Sequence, residues 1–201
     1  MSFRKEKKFK VSISDGLVLI AELQKKGMKN LFKKRMIHSQ YFDTRDFKML
    51  FESEEGLLPR NKIRVRWYDS DFESLNLEKK VSSIEGRYKI LNKISLDKFK
   101  VIKKNGLNDM HYGLMLPSAL ISYEREYFIY ENVRITFDSN IKYLINSKNI
   151  PAKDSFRVIE VKVPMHITED YLEKIIPIPT SRFSKYSRAF FHVLKNESLS
   201  G

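Results

Sequence analysis

The stretch from Asn61 to Tyr68, NKIRVRWY, places the tightest constraint on how this chain can fold. In an extended strand, alternate side chains point to opposite faces. Lys62, Arg64 and Arg66 therefore share one face, and Ile63, Val65 and Trp67 share the other. An ordinary half-buried strand explains this pattern, and so does a strand whose cationic face lines a binding cavity.

Similar patterning recurs along the chain. Charged and aromatic residues two positions apart share a face in five further stretches: Glu6 with Lys8, Glu78 with Lys80, Tyr123 with Arg125, Arg134 with Thr136 and Asp138, and Glu160 with Lys162. If these faces converge, they line a basic cavity that also holds a few carboxylates. Periodicity alone does not show whether they converge.

The net charge of +13 over 201 residues indicates anionic partners, such as nucleic acid, phosphorylated metabolites or acidic lipid. The basic residues are scattered along predicted strands rather than gathered in a tail. This distribution favours a shaped anion site over a nonspecific basic arm.

The composition narrows the class of protein further. The absence of cysteine excludes disulfides and thiolate metal sites. The start of the chain lacks an apolar signal region, and no stretch approaches the roughly 20 apolar residues of a spanning helix. With few Gly and Pro and no Ser-rich linker, we expect a single domain over residues 1–201, no transmembrane segment and a cytoplasmic location.

Residue patterns predict the order of helices and strands. Expected strands are Phe3 to Ser12, Ile37 to Thr44, 61–68, Leu75 to Ser83, the hairpin 119–130 and 133–143 across Glu131 and Asn132, and Phe156 to Val163. Expected helices are one capped by Ser14 or Asp15 and ending near Lys26 before Gly27, one after Thr168, and one over Ser184 to Leu194 whose buried side includes Val193. We interpret 45–51 as a short connection or a continuing strand, 52–59 as an acidic loop, and 85–116 as interrupted helical pieces.

The start of the last predicted helix carries Arg182, Ser184 and Lys185. A helix N-terminus beside two cations is a favourable phosphate site. A capped surface helix with solvated charges is the simpler interpretation of the same residues.

Eight motifs, taken in order, resemble the vacuolar transporter chaperone (VTC) domain. They are RKEKKF, SQYFDT, KIRVRWY, LEKKV, SYEREYF, VRITFD, VIEVKV and SRFSKYSRA. The resemblance covers roughly residues 3 to 194. It implies membership of the CYTH-like triphosphate tunnel metalloenzyme superfamily and an α+β fold, an antiparallel, barrel-like β-tunnel with a polar interior and helices packed outside.

The resemblance also implies a polyphosphate polymerase, a transferase that moves the γ-phosphoryl group of ATP, or of another nucleoside triphosphate, onto inorganic polyphosphate. The implied phosphate-binding residues are Lys8, Arg64, Arg66, Lys80, Tyr123, Arg125, Arg134, Lys162, Arg182, Ser184 and Lys185. Of these, Arg64, Arg66, Lys80, Arg125, Lys162 and Lys185 are the implied catalytic residues. Glu160 would hold Mn²⁺ or Mg²⁺, while Glu6, Glu78 and Asp138 would be secondary metal or water ligands or ion-pair partners. No nucleic acid is expected as a partner.

Two positions depart from the pattern of related proteins. Arg4 replaces the first Glu of the Glu-x-Glu-x-Lys motif of tunnel triphosphatases, which leaves fewer carboxylates for metal, and Arg182 stands where Lys is common.

Two alternatives to the polymerase remain, a metal-dependent tri- or polyphosphate hydrolase and a noncatalytic polyphosphate-binding module. The four His residues lack metal-ligand spacing and are not predicted site residues.

Overall fold

The structure, a computed structural model, describes residues 4–145 and 150–198. Strands in these ranges are β1 (Arg4–Val11), β2 (Lys29–Asp43), β3 (Arg60–Tyr68), β4 (Asp71–Ser83), β5 (Gly86–Ile94), β6 (Leu107–Asp109), β7 (Gly113–Tyr130), β8 (Val133–Ile145), β9 (Ile150–Lys153) and β10 (Arg157–Pro164). Helices are α1 (Ile13–Lys25), α2 (Lys48–Glu55), α3 (Leu96–Asn105), α4 (Glu169–Ile175) and α5 (Lys185–Ser198).

The strands form one ten-stranded sheet with the order β1-β10-β8-β7-β2-β3-β4-β5, in which β6 also pairs with β7 and β9 with β8. Every pairing with a described register is antiparallel. The expected α+β class and antiparallel sheet are confirmed. In the described ranges, no α-helix is both long and apolar enough to traverse a bilayer.

Contacts divide the chain into two compact units. Unit 1 comprises Met1–Met36, Tyr123–Ile141 and Lys153–Phe183, and unit 2 comprises Ile37–Ser122, Lys142–Ala152 and Ser184–Gly201. The single domain expected over residues 1–201 stays a prediction.

In unit 1, helices cover the apolar side of the strands. Alternate residues of β10, such as Ile159 and Val161, are fully buried with Phe9 of β1. Leu23 of α1 and Leu172 of α4 pack into the same cluster. The opposite side of these strands is therefore left to the polar residues between them.

In unit 2, the alternation predicted for β3 is confirmed. Ile63, Val65 and Trp67 are buried in one apolar cluster that also contains Phe99 and Ile102 of α3. Lys62, Arg64 and Arg66 lie on the other face because side chains alternate along a strand.

Several local predictions are confirmed and one cap is wrong. β7 and β8 are neighbours joined at Glu131 and Asn132, and Thr168 caps α4. Helix α1 is capped by Ser12, not by Ser14 or Asp15, since the Ser12 hydroxyl accepts the Asp15 amide at 3.0 Å. Phe3 lies outside the described residues, as does the side chain of Val193.

Two segment predictions are wrong. Residues 48–55 form helix α2 instead of a connection followed by an acidic loop. Residues 86–94, 107–109 and 113–116 lie in strands β5, β6 and β7, whereas residues 96–105 are helical as expected. The β4–β5 turn contains only Ile84 and Glu85, because Ser83 pairs directly with Gly86, whose φ of +143° suits a residue without a side chain.

Candidate functional site

The polar side of unit 1 is built by three strands in register. Its cross-strand rows are Glu6–Lys162–Arg134, Lys8–Glu160–Thr136 and Lys10–Val158–Asp138, contributed in that order by β1, β10 and β8. These residues, with Tyr123 and Arg125 of β7, are termed the unit 1 face. Directly opposed residues of antiparallel strands lie close together on one side of the sheet, so the register gathers these charges.

Glu160 lies at the centre of this face and is 8% exposed. Its carboxylate accepts from Lys162 Nζ at 2.9 Å and lies 3.5 Å from Arg125 Nη2. Burial would raise the pKa of Glu160, but the positive charges of Arg125, Lys162 and Lys8 lower it well below the usual range. The surrounding cations therefore favour the ionised form of Glu160.

Arg125 is held by a two-point ion pair. Its Nε and Nη2 donate to the two oxygens of Asp138 at 2.5 and 2.7 Å, and its guanidinium lies 5.3 Å from the centre of the Tyr123 ring. Burial acts to lower the pKa of Arg125, but Asp138 and other nearby groups raise it well above its ordinary value. Of the two roles left open for Asp138, the ion-pair role is the one its contacts support.

Arg134 stands beside Lys162 in the same row, with its guanidinium 5.6 Å from the Phe32 ring centre. Its Nε is buried without a hydrogen-bond partner among the described protein groups. Buried donors are normally paired, so this position suits an acceptor supplied by a ligand or by water.

The segment before α5 runs against β1. The Ser181 amide donates to the Lys8 carbonyl at 2.8 Å, and Lys8 Nζ donates to the Phe183 carbonyl at 3.3 Å. The exposed Arg182 lies between these two contacts and is thereby held near Lys8. Lys8 also pairs with Glu6 at 3.5 Å, which supports the ion-pair role for Glu6.

The polar side of unit 2 is far more cationic. The register of β3, β4 and β5 gives the rows Arg60–Ser82–Arg87, Lys62–Lys80–Lys89, Arg64–Glu78–Leu91 and Arg66–Asn76–Lys93. These residues are termed the unit 2 face, and they include eight cations and one carboxylate. Like charges directly opposite each other are destabilising in a sheet, and an anionic ligand would relieve that repulsion.

Glu78 is the single carboxylate of these rows, and it is paired on both sides. Arg64 Nε and Nη2 donate to it at 2.7 and 2.6 Å, and Lys89 Nζ donates at 2.6 Å. Burial acts to raise the pKa of Glu78, but the charges of Arg64, Arg66 and Lys89 lower it to about 2. Its contacts again support the ion-pair role.

The N-terminus of α5 also belongs to unit 2. Ser184 caps the helix weakly through the Ser187 amide at 3.4 Å, and its hydroxyl accepts from Lys62 Nζ at 3.0 Å. Lys185 is the first helical residue. Lys62 is a cation at this helix start that the sequence analysis did not place there, and a helix N-terminus beside cations favours phosphate.

The residues present fit a metal ion only in a limited way. Among the described residues, no three His, Asp or Glu side chains gather as metal ligands. Glu160 offers hard carboxylate oxygens, and Mg²⁺ commonly takes one or two carboxylates together with phosphate oxygens of a substrate. Glu160 is thus compatible with a metal that a bound phosphate chain helps to hold.

Sequence reasoning missed several members of the unit 2 face. Lys62 was visible in the alternation of NKIRVRWY but was not selected, and Lys89 lay in a segment read as helical. The alternation of RYKILNKI, with Arg87, Lys89 and Lys93 on one side, is the signal that could have found that strand.

The chain is similar to one described protein family and to several solved structures. The family described as VTC domain matches residues 3–193. A conserved hypothetical protein from Pyrococcus furiosus has a similar structure, with a TM-score of 0.57, 14% identity, and coverage of 91% of this chain and 98% of that one. No curated protein gave a significant match.

Two further solved structures are similar. One is a putative adenylate cyclase from Vibrio parahaemolyticus, with a TM-score of 0.53, 15% identity, and coverage of 94% of this chain and 98% of that one. The other is a putative adenylyl cyclase from Hippeastrum, described as having a dominant triphosphatase activity, with a TM-score of 0.56, 14% identity, and coverage of 94% and 96%.

Identities this low show a shared fold and no more. The family match is of a different kind, because it runs over nearly the whole length of the 201 residues. The chain belongs to the VTC domain family.

Proposed function

We propose that this protein is a polyphosphate polymerase that transfers the γ-phosphoryl group of ATP, or of another nucleoside triphosphate, onto inorganic polyphosphate. Its membership of the VTC domain family and the charges of its two polar faces support the proposal. A triphosphate carries about four negative charges, and phosphoryl transfer depends mainly on positioning and on charge stabilisation.

The observation that carries the proposal is the cationic excess of the unit 2 face. Lys62, Lys80 and Lys89 stand opposite one another on three adjacent strands. Like charges opposed across strands repel one another, and an anionic ligand bound to this row would relieve that repulsion. Arg64 and Arg66 add planar cations in which the charge is delocalised, whereas each Lys acts as a point charge.

On the unit 1 face, the ion pairs fix the cations before any ligand arrives. Asp138 orients Arg125, and Glu160 orients Lys162. Fixed charges stabilise a transition state without having to reorganise during the reaction. A Mn²⁺ or Mg²⁺ ion held by Glu160 together with phosphate oxygens would act as a Lewis acid when bound.

The proposed transfer needs no side-chain nucleophile. A terminal oxygen of the polyphosphate chain attacks the γ-phosphorus, and the bond from that phosphorus to the oxygen shared with the β-phosphate breaks. ADP leaves with that oxygen, and the chain is longer by one phosphoryl group. The cations neutralise charge on the attacking and leaving oxygens.

Hydrolysis of triphosphate or polyphosphate is the second candidate, since water could replace the chain as the attacking group. One observation favours it, the triphosphatase activity described for the similar Hippeastrum protein. A noncatalytic polyphosphate-binding module would need the same cationic faces but no turnover.

The test is to incubate the purified protein with ATP and Mn²⁺ and to separate the products on a gel that resolves polyphosphate ladders. We expect a ladder that is lost in the Lys162→Ala variant. The matched control is Lys7→Ala, because Lys7 lies on the opposite side of β1 and pairs with Glu169 at 2.5 Å.

Two outcomes would overturn the proposal that the protein is a polymerase. Free phosphate without a ladder would assign hydrolysis. No turnover, combined with stabilisation of the fold by tripolyphosphate, would assign a binding module. A ladder that persists in Lys162→Ala would remove that residue from the proposed site.

A further inference from the structure

Tyr41 of β2 lies beside Arg64 in a buried part of unit 2. The register pairs the two residues directly, and Arg64 Nη1 donates to the Tyr41 hydroxyl at 2.8 Å. The Tyr41 side chain is only 7% exposed. Glu78 binds Nε and Nη2 of Arg64, and Tyr41 contacts the third nitrogen, Nη1.

The Tyr41 ring is held by a second tyrosine. It stacks on Tyr186 of α5, with ring centres 4.9 Å apart and planes 15° from parallel. The Tyr186 hydroxyl donates to Asp43 at 2.6 Å and lies 3.1 Å from the Ser118 hydroxyl. Tyr186 follows Lys185 directly, so the stack also joins Arg64 to the start of α5.

Asp43 gives this chain of contacts a rigid end. Its carboxylate accepts the backbone amides of Met49 and Leu50 at 2.9 and 3.0 Å, in the first turn of α2. The series Asp43–Tyr186–Tyr41–Arg64 thus connects a helix start to a cation of the unit 2 face. Such support restricts the rotamers of Arg64, which otherwise has a long and flexible side chain.

We propose that Tyr41 is a positioning residue that sets the orientation of Arg64 and makes the phosphate affinity of the unit 2 face sensitive to the protonation of its own hydroxyl. The inference rests on the proposed function, because it takes a tri- or polyphosphate as the ligand of that face. Tyr41 acts through Arg64 and is not assigned a contact with the ligand.

The charges around Tyr41 support this coupling. Lys62, Arg64 and Arg66 act on it from β3, and Tyr186 stacks on it from α5. Glu78 of β4 pairs with Arg64, and Asp43 lies on the same strand as Tyr41. Burial acts to raise the pKa of Tyr41, but the three cations lower it to about 8. Above that pH, a phenolate would offset part of the Arg64 charge and repel phosphate, so affinity should fall as pH rises.

The test is calorimetric titration of the full chain with tripolyphosphate at pH 7 and pH 9. Tyr41→Phe keeps the ring that stacks on Tyr186 and removes only the hydroxyl. We expect affinity at pH 7 to fall between about twofold and tenfold, the range for one ordinary hydrogen bond. We also expect the decrease in wild-type affinity from pH 7 to pH 9 to be reduced in Tyr41→Phe.

The matched control is Tyr112→Phe. Tyr112 is also buried in unit 2, but its hydroxyl donates to Glu52 at 2.5 Å and accepts the Asn61 amide at 3.2 Å. We expect this variant to lose stability yet to keep the wild-type affinity and pH dependence. Tyr41→Phe would give the same result as Tyr112→Phe if Tyr41 had a merely structural role.

A second measurement does not depend on any ligand. Tyrosinate absorbance should show one tyrosine ionising near pH 8, absent in Tyr41→Phe and shifted to higher pH in Arg64→Ala. Equal affinity and equal pH dependence in wild type and Tyr41→Phe would overturn the inference, as would a tyrosinate titration unchanged in both variants. If wild type does not bind tripolyphosphate at all, the proposed function fails, and an intact absorbance shift would still establish the link between Tyr41 and Arg64.

Discussion

The two polar faces of this protein use charge in different ways. The unit 1 face has five cations and three carboxylates: Lys8, Lys10, Arg125, Arg134 and Lys162 with Glu6, Asp138 and Glu160. The unit 2 face has eight cations and one carboxylate: Arg60, Lys62, Arg64, Arg66, Lys80, Arg87, Lys89 and Lys93 with Glu78. One face is largely compensated, and the other carries a large positive excess.

The charges of the unit 1 face position cations, whereas those of the unit 2 face attract anions. Compensated charges such as Arg125 with Asp138 hold their geometry in the free protein, at the cost of removing both ions from water. The excess of like charges around Lys62 and Lys80 attracts anions, at the cost of mutual repulsion. The proposed metal needs a carboxylate ligand, and Glu160 provides one on the compensated side.

The largest effect is expected from Glu160→Ala. We predict that metal-dependent turnover is abolished while the chain still folds, because the proposed metal ligand is lost and Arg125 keeps Asp138 as a partner. Turnover with and without Mn²⁺, together with a thermal unfolding curve, checks both parts. Glu169→Ala is the control, since Glu169 belongs to an exposed pair with Lys7. Normal turnover in Glu160→Ala would refute the metal assignment.

The next largest effect is expected from the double variant Arg64→Ala, Arg66→Ala. Each charged hydrogen bond contributes roughly 1.5 to 3 kcal/mol, so tripolyphosphate binding should weaken by about 3 to 6 kcal/mol. Calorimetry measures this loss. The control is Lys7→Ala with Lys79→Ala, which removes two cations that pair with Glu169 and Asp109 away from both faces. Undiminished affinity in the arginine variant would show that the unit 2 face is not the phosphate site.

A smaller effect is expected from Glu78→Gln, which removes the one negative charge of those rows. Loss of a charged partner should lower the free energy of unfolding by about 1.5 to 3 kcal/mol at neutral pH. The pKa of Glu78 is about 2 in the folded protein and ordinarily 4.5, so its contribution is complete above the ordinary value and is lost as pH falls towards 2.

Urea unfolding of wild type and Glu78→Gln at pH 7, 5 and 3 tests the direction of this pH dependence. The difference in unfolding free energy should be similar at pH 7 and 5 and smaller at pH 3. A difference that stays constant down to pH 3 would contradict the proposed ionisation of Glu78.

Some of this architecture could be predicted from the sequence because the signals are local. The alternation of NKIRVRWY fixes the two faces of β3, and the Thr168 cap fixes the start of α4. Family resemblance added some residues of both faces, and it left the role of Glu6, Glu78 and Asp138 open between metal or water ligands and ion-pair partners.

The rest depends on contacts distant in sequence. The N-cap residue of helix α2 is Phe47, whose side chain cannot accept a hydrogen bond, and Thr44 and Asp43 upstream accept the helix's first three amides instead. Strand β5 was misread because its apolar residues also fit a helical period, and only pairing with β4 selects the extended form. The positions of Lys89 and Lys93 on the unit 2 face followed from that pairing.

The smallest predicted effect comes from comparing two neighbouring residues on opposite sides of strand β4. Lys80→Ala should weaken tripolyphosphate binding, because Lys80 stands between Lys62 and Lys89 and one positive charge is lost from that row. Lys79→Ala, one residue away, should leave tripolyphosphate binding unchanged and lower stability, since its 2.5 Å ion pair with Asp109 is lost and the unit 2 face is untouched. Calorimetry measures the binding of both variants, and urea unfolding measures their stability. If Lys80→Ala leaves binding unchanged, the excess charge of the unit 2 face is not maintained for an anionic ligand.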